Sequence, residues 1–401
     1  MTYAPDHRPF YDADSHVMEY PTFITDYADP EFRDRIPEVD YTASIVTDEE
    51  VAEIVNNGNR HSQAHIQAQI DLGDELIAKS KEIQALGAFN RDDRKVAVDM
   101  LGFKKQLVFA THSAKVCFSK SKSVDPALRY AATRAHNRAM SEFCEDDSRL
   151  MAVGVVPLHE PELAIKEVDF LVEKGMQAAW VPHYASGGRS PGHVDLDPFW
   201  QKLVEYDLPF VMHIGGSPLE TDPAWNNNGL PAVKDWTGGG ENVRAKDMAM
   251  LHHPIETFVS MLVLDGVFER FPALRGASVE LGAAWVPTLL DRMDQVVGIW
   301  KRMDDNLKKI TRKPSEQLTT QMAFTPFVYE DVGKFINYSN PELYLFSSDY
   351  PHIEGGKDPI GRFEKSLDAA EVSDSSKDLF YAENFLRIFP DARVSDERQT
   401  A

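Results

Sequence analysis

The chain has 401 residues, 43% apolar and 26% charged, an ordinary balance for a globular protein with a large core and enough length for one large domain or two. Its 64 acidic residues against 42 basic ones leave a formal charge of −22, which argues against nucleic acid as a partner, because holding phosphates takes concentrated Lys and Arg. Two cysteines, Cys117 and Cys144, are too few for a disulfide scaffold and lack the spacing of a thiolate metal site, so both are read as buried, inert thiols.

Residues 1–8 lack the basic and apolar pattern of an export signal, and no later apolar run approaches bilayer-spanning length; a cytoplasmic protein with no membrane partner is expected. Residues 10–16 then carry Asp12, Asp14 and His16 at alternate positions of a short apolar run. Successive side chains of a strand point to opposite faces, so these three share one face, as a strand end built to hold a cation would arrange them. Residues 17–95 offer no second clear strand, and 59–87 show helical patterning with many polar side chains, among them Gln63, His65, Gln67 and Gln69. This stretch reads as a largely helical insertion after the first strand.

From Lys104 onward apolar runs alternate with helical stretches. Candidate strands are 106–112, 151–157, 177–182, 208–213, 275–280, 318–325 and 343–349, which with 10–16 makes eight. Candidate helices between them are 126–145, 161–174, 198–206, 254–271 and 285–301, several opening with Pro, which suits a first helical turn. Strand and helix in alternation imply a parallel sheet, and eight such units imply an α/β fold of the (β/α)8 TIM-barrel type. One barrel domain over 1–391 with a tail at 392–401 is expected. An open doubly wound sheet is the rival, but no Gly-rich turn follows the first strand to cradle a phosphate. Residues 214–250, rich in Gly, Pro, Asn and Asp, form a long loop after strand five that is expected to cover the pocket. With Trp225 and Trp236 in it, a crossing segment or an oligomer contact is the plainer alternative.

The runs 208–213 and 343–349 end in His213 and Asp349. Together with His16 and one of Asp12 or Asp14 they bring nitrogen and oxygen ligands to the ends of strands one, five and eight, the face where such barrels assemble active sites. Asp14 is assigned to the metal and Asp12 to a supporting or turn-capping role. A lone strand-end His is as often a hydrogen-bonding residue as a ligand, so the joint placement carries the inference. The ligand types fit one divalent ion, Zn, with Mn or Fe as alternatives. His112 and His183 reach the same rim, and Trp180, Tyr184, Phe327 and Tyr329 suit an apolar or aromatic small-molecule substrate or ordinary packing.

Four segments together resemble the amidohydrolase superfamily, in the branch of aminocarboxymuconate semialdehyde decarboxylase and the enzymes acting on resorcylate and carboxyvanillate. They are the run from Asp12 to Glu19, the run from Leu208 to His213, the stretch from Gly266 to Pro272, and Ser347-Ser348-Asp349-Tyr350-Pro351-His352. The resemblance implies a metal held by Asp14, His16, His213 and Asp349, with Asp14 a shorter substitute for the His or Glu of relatives, and it implies a homodimer. Decarboxylases of the branch resemble one another in a strand-six His, whereas this chain reads Ser278-Val279-Glu280-Leu281-Gly282 with Glu280 in its place.

Hydrolysis is therefore the first functional expectation, with water activated by the cation, Asp349 or Glu280 accepting its proton, and attack on a carbonyl carbon of a C–N, C–O or C–C bond. The runner-up is a nonoxidative carboxy-lyase of an aromatic or muconate-type acid, in which His253 or His352 supplies the missing imidazole; His252 beside it is the other member of a pair that a surface or capping role would equally explain. The third reading is a noncatalytic binding barrel.

Overall fold

The computed structural model describes residues 2–41, 44–121, 123–217, 222–231 and 245–392. Seven strands follow one another in a single parallel sheet: β1 Tyr11–Val17, β2 Lys105–Ala110, β3 Leu150–Val155, β4 Ala178–Trp180, β5 Phe210–His213, β6 Gly276–Val279 and β7 Met322–Phe324. Each pairs with the next in sequence order, and every residue in them is buried. Strands buried on both faces need helices outside and packed side chains within, which explains their continuous Val, Ala, Phe and Met content.

The eighth segment closes the barrel with single bridges instead of a ladder. Leu345 N donates to Phe324 O at 3.0 Å on one side, while Phe346 O accepts from Ala13 N at 3.0 Å and Tyr350 O from His16 N at 2.8 Å on the other. Of the expected strand 343–349, Leu343 ends a 3-10 turn, Pro341–Leu343, and the rest is chain bonded to both β7 and β1 that ends at Asp349 with a left-handed φ of 54°. The architecture is a (β/α)8-like barrel with helical additions.

Two other boundaries differ from expectation. Residues 318–321 are helical, part of Pro314–Gln321, because Pro314 presets the first turn and Glu316 accepts from the Lys313 amide; β7 starts only at Met322. The helix expected over 254–271 is two, His252–Leu264 and Val267–Arg270, broken at Gly266 with φ 74°. Between β1 and β2 the chain is helical and 3-10, ending in Arg91–Leu101, which Asn90 caps through the Asp92 and Asp93 amides and Gly102 terminates at φ 77°. Of the loop 214–250, Trp225 is exposed on a short turn, Pro223–Asn226, and the end is a helix, Ala245–Met250; residues 218–221 and 232–244, Trp236 among them, lie outside the described residues, as does nearly all of the expected tail. Among the described residues no helix is long and apolar enough to cross a membrane.

Candidate metal centre

β1 carries an extra residue between Asp12 and Ser15, where its register against β2 shifts. Such a bulge re-aims side chains, and here it separates two carboxylates. Asp12 turns toward the closing segment, accepting from Ser348 N at 2.7 Å, Ser348 Oγ at 2.6 Å and Gln106 Nε2 at 2.7 Å. Asp14 stays with His16, its Oδ1 3.2 Å from His16 Nε2 and 3.3 Å from His213 Nε2.

Glu280, one residue past β6, and Asp349, on the closing segment, complete the group. Glu280 Oε2 lies 3.2 Å from His213 Nε2 and 4.0 Å from His16 Nε2; Asp349 Oδ1 lies 3.6 Å from His16 Nε2 and 3.0 Å from His352 Nδ1. The six residues form two overlapping sets that share His16 and Glu280, and all six are buried. Glu280 and Asp349 both sit at φ near +54°, a conformation that L side chains adopt at a cost of order 1–3 kcal/mol and that collects at functional sites.

Burial opposes charge on Asp14, but the flanking His213 and His16 hold its carboxyl well below the usual range. Burial and the neighbouring His352 keep His16 neutral, its pKa well below the ordinary value. Asp349 is pushed up to about 7 by burial, and His352, although buried, is raised to about 10 by Asp349 beside it. With its lone pair turned inward, neutral His16 Nε2 faces carboxylate oxygens 3.2 to 4.0 Å away, an arrangement that a cation among them stabilises. His16 Nε2 and Asp349 Oδ1 are buried there without a hydrogen bond. Oxygen and imidazole donors with no thiolate suit Zn, Mn or Fe. These residues form a divalent-cation site.

The structure brings Asp14, His16, His213, Glu280, Asp349 and His352 together, with Glu280 at contact distance from His213 beside the four expected ligands. It does not bring in His253, which is exposed at the start of its helix and packs edge to face on His252; the Pro254 turn holds both on the outer surface, where His252 faces Glu256 at 3.9 Å. His183 is buried beside Gly216 but outside the cluster. His112 gives its amide to Glu19. Trp180 and Phe109 wall the site, at 5.1 and 4.4 Å between ring centroids from His213, whereas Tyr329 is 61% exposed and stacks on Phe327. Tyr184 bonds the Phe118 carbonyl.

Sequence reasoning left three supporting residues without a role. Glu19 is fully buried and accepts from the amides of Thr111, His112 and Ser113. Arg94, also fully buried, donates to His16 O at 3.0 Å and lies over the Tyr350 ring. Thr111 directly follows β2 and its Oγ1 lies 3.0 Å from His352 Nε2, a role obscured in the sequence by the more conspicuous His112 beside it.

A family model described as amidohydrolase matches residues 83–390. Among curated proteins, gamma-resorcylate decarboxylases of a Polaromonas species and a Rhizobium species are 25% identical over 151 residues and 27% over 169. Those matches take in 36% and 41% of this chain and 42% and 47% of the relatives, so the chain spans less than half the length of the curated relatives it matches. Among solved structures, an amidohydrolase from Mycobacterium avium subsp. paratuberculosis superposes with TM-score 0.71 at 20% identity, covering 96% of this chain and 100% of that one. A 5-carboxyvanillate decarboxylase from Novosphingobium aromaticivorans, complexed with manganese and 4-hydroxy-3-methoxy-5-nitrobenzoic acid, gives 0.63 at 17% identity over 97% and 99%.

Proposed function

The chain belongs to the amidohydrolase family, and on that premise we propose that it is a metal-dependent carboxy-lyase that releases carbon dioxide from a small aromatic acid without an oxidant. The observation that carries the reading is the buried Asp349–His352 pair, 3.0 Å apart and directly beside the cation ligands. Hydrolysis, the first expectation from sequence, gives way to the runner-up: both curated relatives bear the name gamma-resorcylate decarboxylase, and a fold relative is a 5-carboxyvanillate decarboxylase.

In this reading Asp14, His16, His213 and Glu280 hold the cation, with Asp349 in reach of it. When bound, a divalent cation would supply positive charge that holds a substrate carboxylate and its neighbouring hydroxyl and favours that hydroxyl as its oxyanion. Asp349, whose carboxyl burial pushes up to about 7 in the metal-free protein, takes a proton from His352, whose Nδ1 lies 3.0 Å away and whose pKa Asp349 raises to about 10. It gives that proton to the ring carbon bearing the carboxylate, the bond from that carbon to the carboxylate then breaks with its electron pair returning to the ring, and carbon dioxide leaves. His352 restores the proton through Nδ1. Trp180 and Phe109 present apolar surface against which an aromatic ring can lie. A working ion of manganese or zinc, a single barrel domain over 1–391, a homodimer and a cytoplasmic location belong to the same proposal.

Glu280 favours a second reading. A carboxylate where decarboxylase relatives carry an imidazole can take the proton of an attacking water, as hydrolysis requires. Manganese- or zinc-loaded protein incubated with hydroxybenzoates and carboxylated methoxyphenols in deuterated water separates the two. Carbon dioxide release with one deuterium at the vacated ring carbon is expected. Failure of every aromatic acid, with turnover of esters or amides that places solvent 18O in the product acid, would replace the lyase with the hydrolase.

A further inference from the structure

The hydroxyl of Thr111 sits between two of the three imidazoles of the site: its Oγ1 is 3.0 Å from His352 Nε2 and 3.4 Å from His16 Nδ1. The same oxygen lies 2.8 Å from the Val17 carbonyl. A threonine hydroxyl has one hydrogen to give and can accept two. The Val17 carbonyl only accepts, and it is the nearest partner, so the single hydrogen goes there. Both ring nitrogens that face Oγ1 must then bring their own hydrogens.

Thr111 has little freedom to do otherwise. Its amide donates to Glu19 at 3.2 Å and to the Val17 carbonyl at 3.3 Å, and Glu19 further accepts from His112 at 3.1 Å and Ser113 at 2.8 Å. Glu19 is fully buried, so this clamp is not shared with solvent. The two rings are themselves stacked, with centroids 3.9 Å apart and planes at 27°, which fixes both relative to the one hydroxyl.

We propose that Thr111, clamped by Glu19, fixes the ring orientations of His16 and His352 together and sets the tautomer of His16, an inference about positioning that rests on the metal-site reading above. A hydrogen on His16 Nδ1 leaves Nε2 with its lone pair aimed at the cluster, which is the form a cation ligand needs. A hydrogen on His352 Nε2 leaves Nδ1, 3.0 Å from Asp349 Oδ1, as the one position through which that ring exchanges a proton with Asp349. One hydroxyl thereby prepares a ligand and its neighbouring proton carrier, and neither ring has to reorient as the cation or the substrate arrives.

Long-range 1H–15N spectra of histidine-labelled, metal-free protein test this directly, with Thr111→Val, Thr111→Ser and Glu19→Gln alongside. The wild type is expected to carry hydrogens on His16 Nδ1 and His352 Nε2. Thr111→Val is expected to lose the fixed His16 tautomer and to bind Mn2+ about 10- to 100-fold more weakly; Glu19→Gln moves both readouts the same way, and Thr111→Ser restores them. A wild-type His16 carrying its hydrogen on Nε2, or a folded Thr111→Val with unchanged His16 tautomer and Mn2+ affinity, overturns the proposal. A wild type with the expected His16 tautomer that takes up neither Mn2+ nor Zn2+ upholds the role of Thr111 and removes the metal assignment instead.

Discussion

Asp12 differs from Asp14 by two positions and by everything that surrounds it. Its two oxygens accept from Ser348 N and Oγ, Gln106 Nε2 and, at 3.3 Å, the Asp14 amide, so it ties β1 to the closing segment that carries Asp349. In Asp12→Asn one of those acceptors becomes an NH2 facing donors, and leaving buried donors unsatisfied costs about 1–3 kcal/mol. The denaturant midpoint should fall accordingly with m unchanged. His136, fully buried with Nδ1 3.1 Å from Asn137 Oδ1, is lowered to about 4 by burial. Between pH 4 and its unfolded value near 6.5 the unfolded chain binds the extra proton and the folded one does not, so stability falls as pH falls through that window. A His136→Gln variant should remove that part of the slope, worth up to about 3 kcal/mol at pH 4; identical pH profiles for the two proteins would assign the acid sensitivity elsewhere.

At the scale of the element, short strands position the site because their neighbours leave no slack. Gly276 opens β6, and a Cβ built there would stand 2.4 Å from the Phe210 ring of β5. Gly276→Ala must therefore push β6 or β5 aside, a clash of the sort that costs about 1–3 kcal/mol. Because β6 leads directly into Glu280 and β5 ends in His213, 3.2 Å apart, metal affinity should fall along with the denaturant midpoint. Lost stability with full metal affinity would mean that the strand ends are held by their loops. The bulge in β1 works in the opposite sense: it spends one residue of ladder to turn Asp12 away while Asp14 and His16 remain with the site.

For the whole molecule, closure of the barrel brings three carboxylates and three imidazoles from four separate stretches of chain into one buried cluster. Like charges crowded out of water oppose folding, and a bound divalent ion offsets them. A ligand at 1,000 times its dissociation constant adds about 4 kcal/mol to stability. Chelation should lower the unfolding midpoint by that order, and in His213→Ala the gap between metal-loaded and chelated protein should shrink or vanish; a midpoint indifferent to metal in the wild type would separate the ion from folding. The barrel and the meeting of Asp14, His16, His213 and Asp349 at strand ends one, five and eight were legible in the sequence, because strand period, helix-opening prolines and polar residues closing apolar runs are local signals. So was Glu280 as the odd residue of strand six. The start of β7, the eighth segment held by bridges, the exclusion of His253 and the supporting roles of Asp12, Glu19 and Thr111 were decided only by tertiary structure. Each depends on which backbone amides, carbonyls and rings lie opposite a side chain across hundreds of residues, and neither periodicity nor spacing along one chain encodes that.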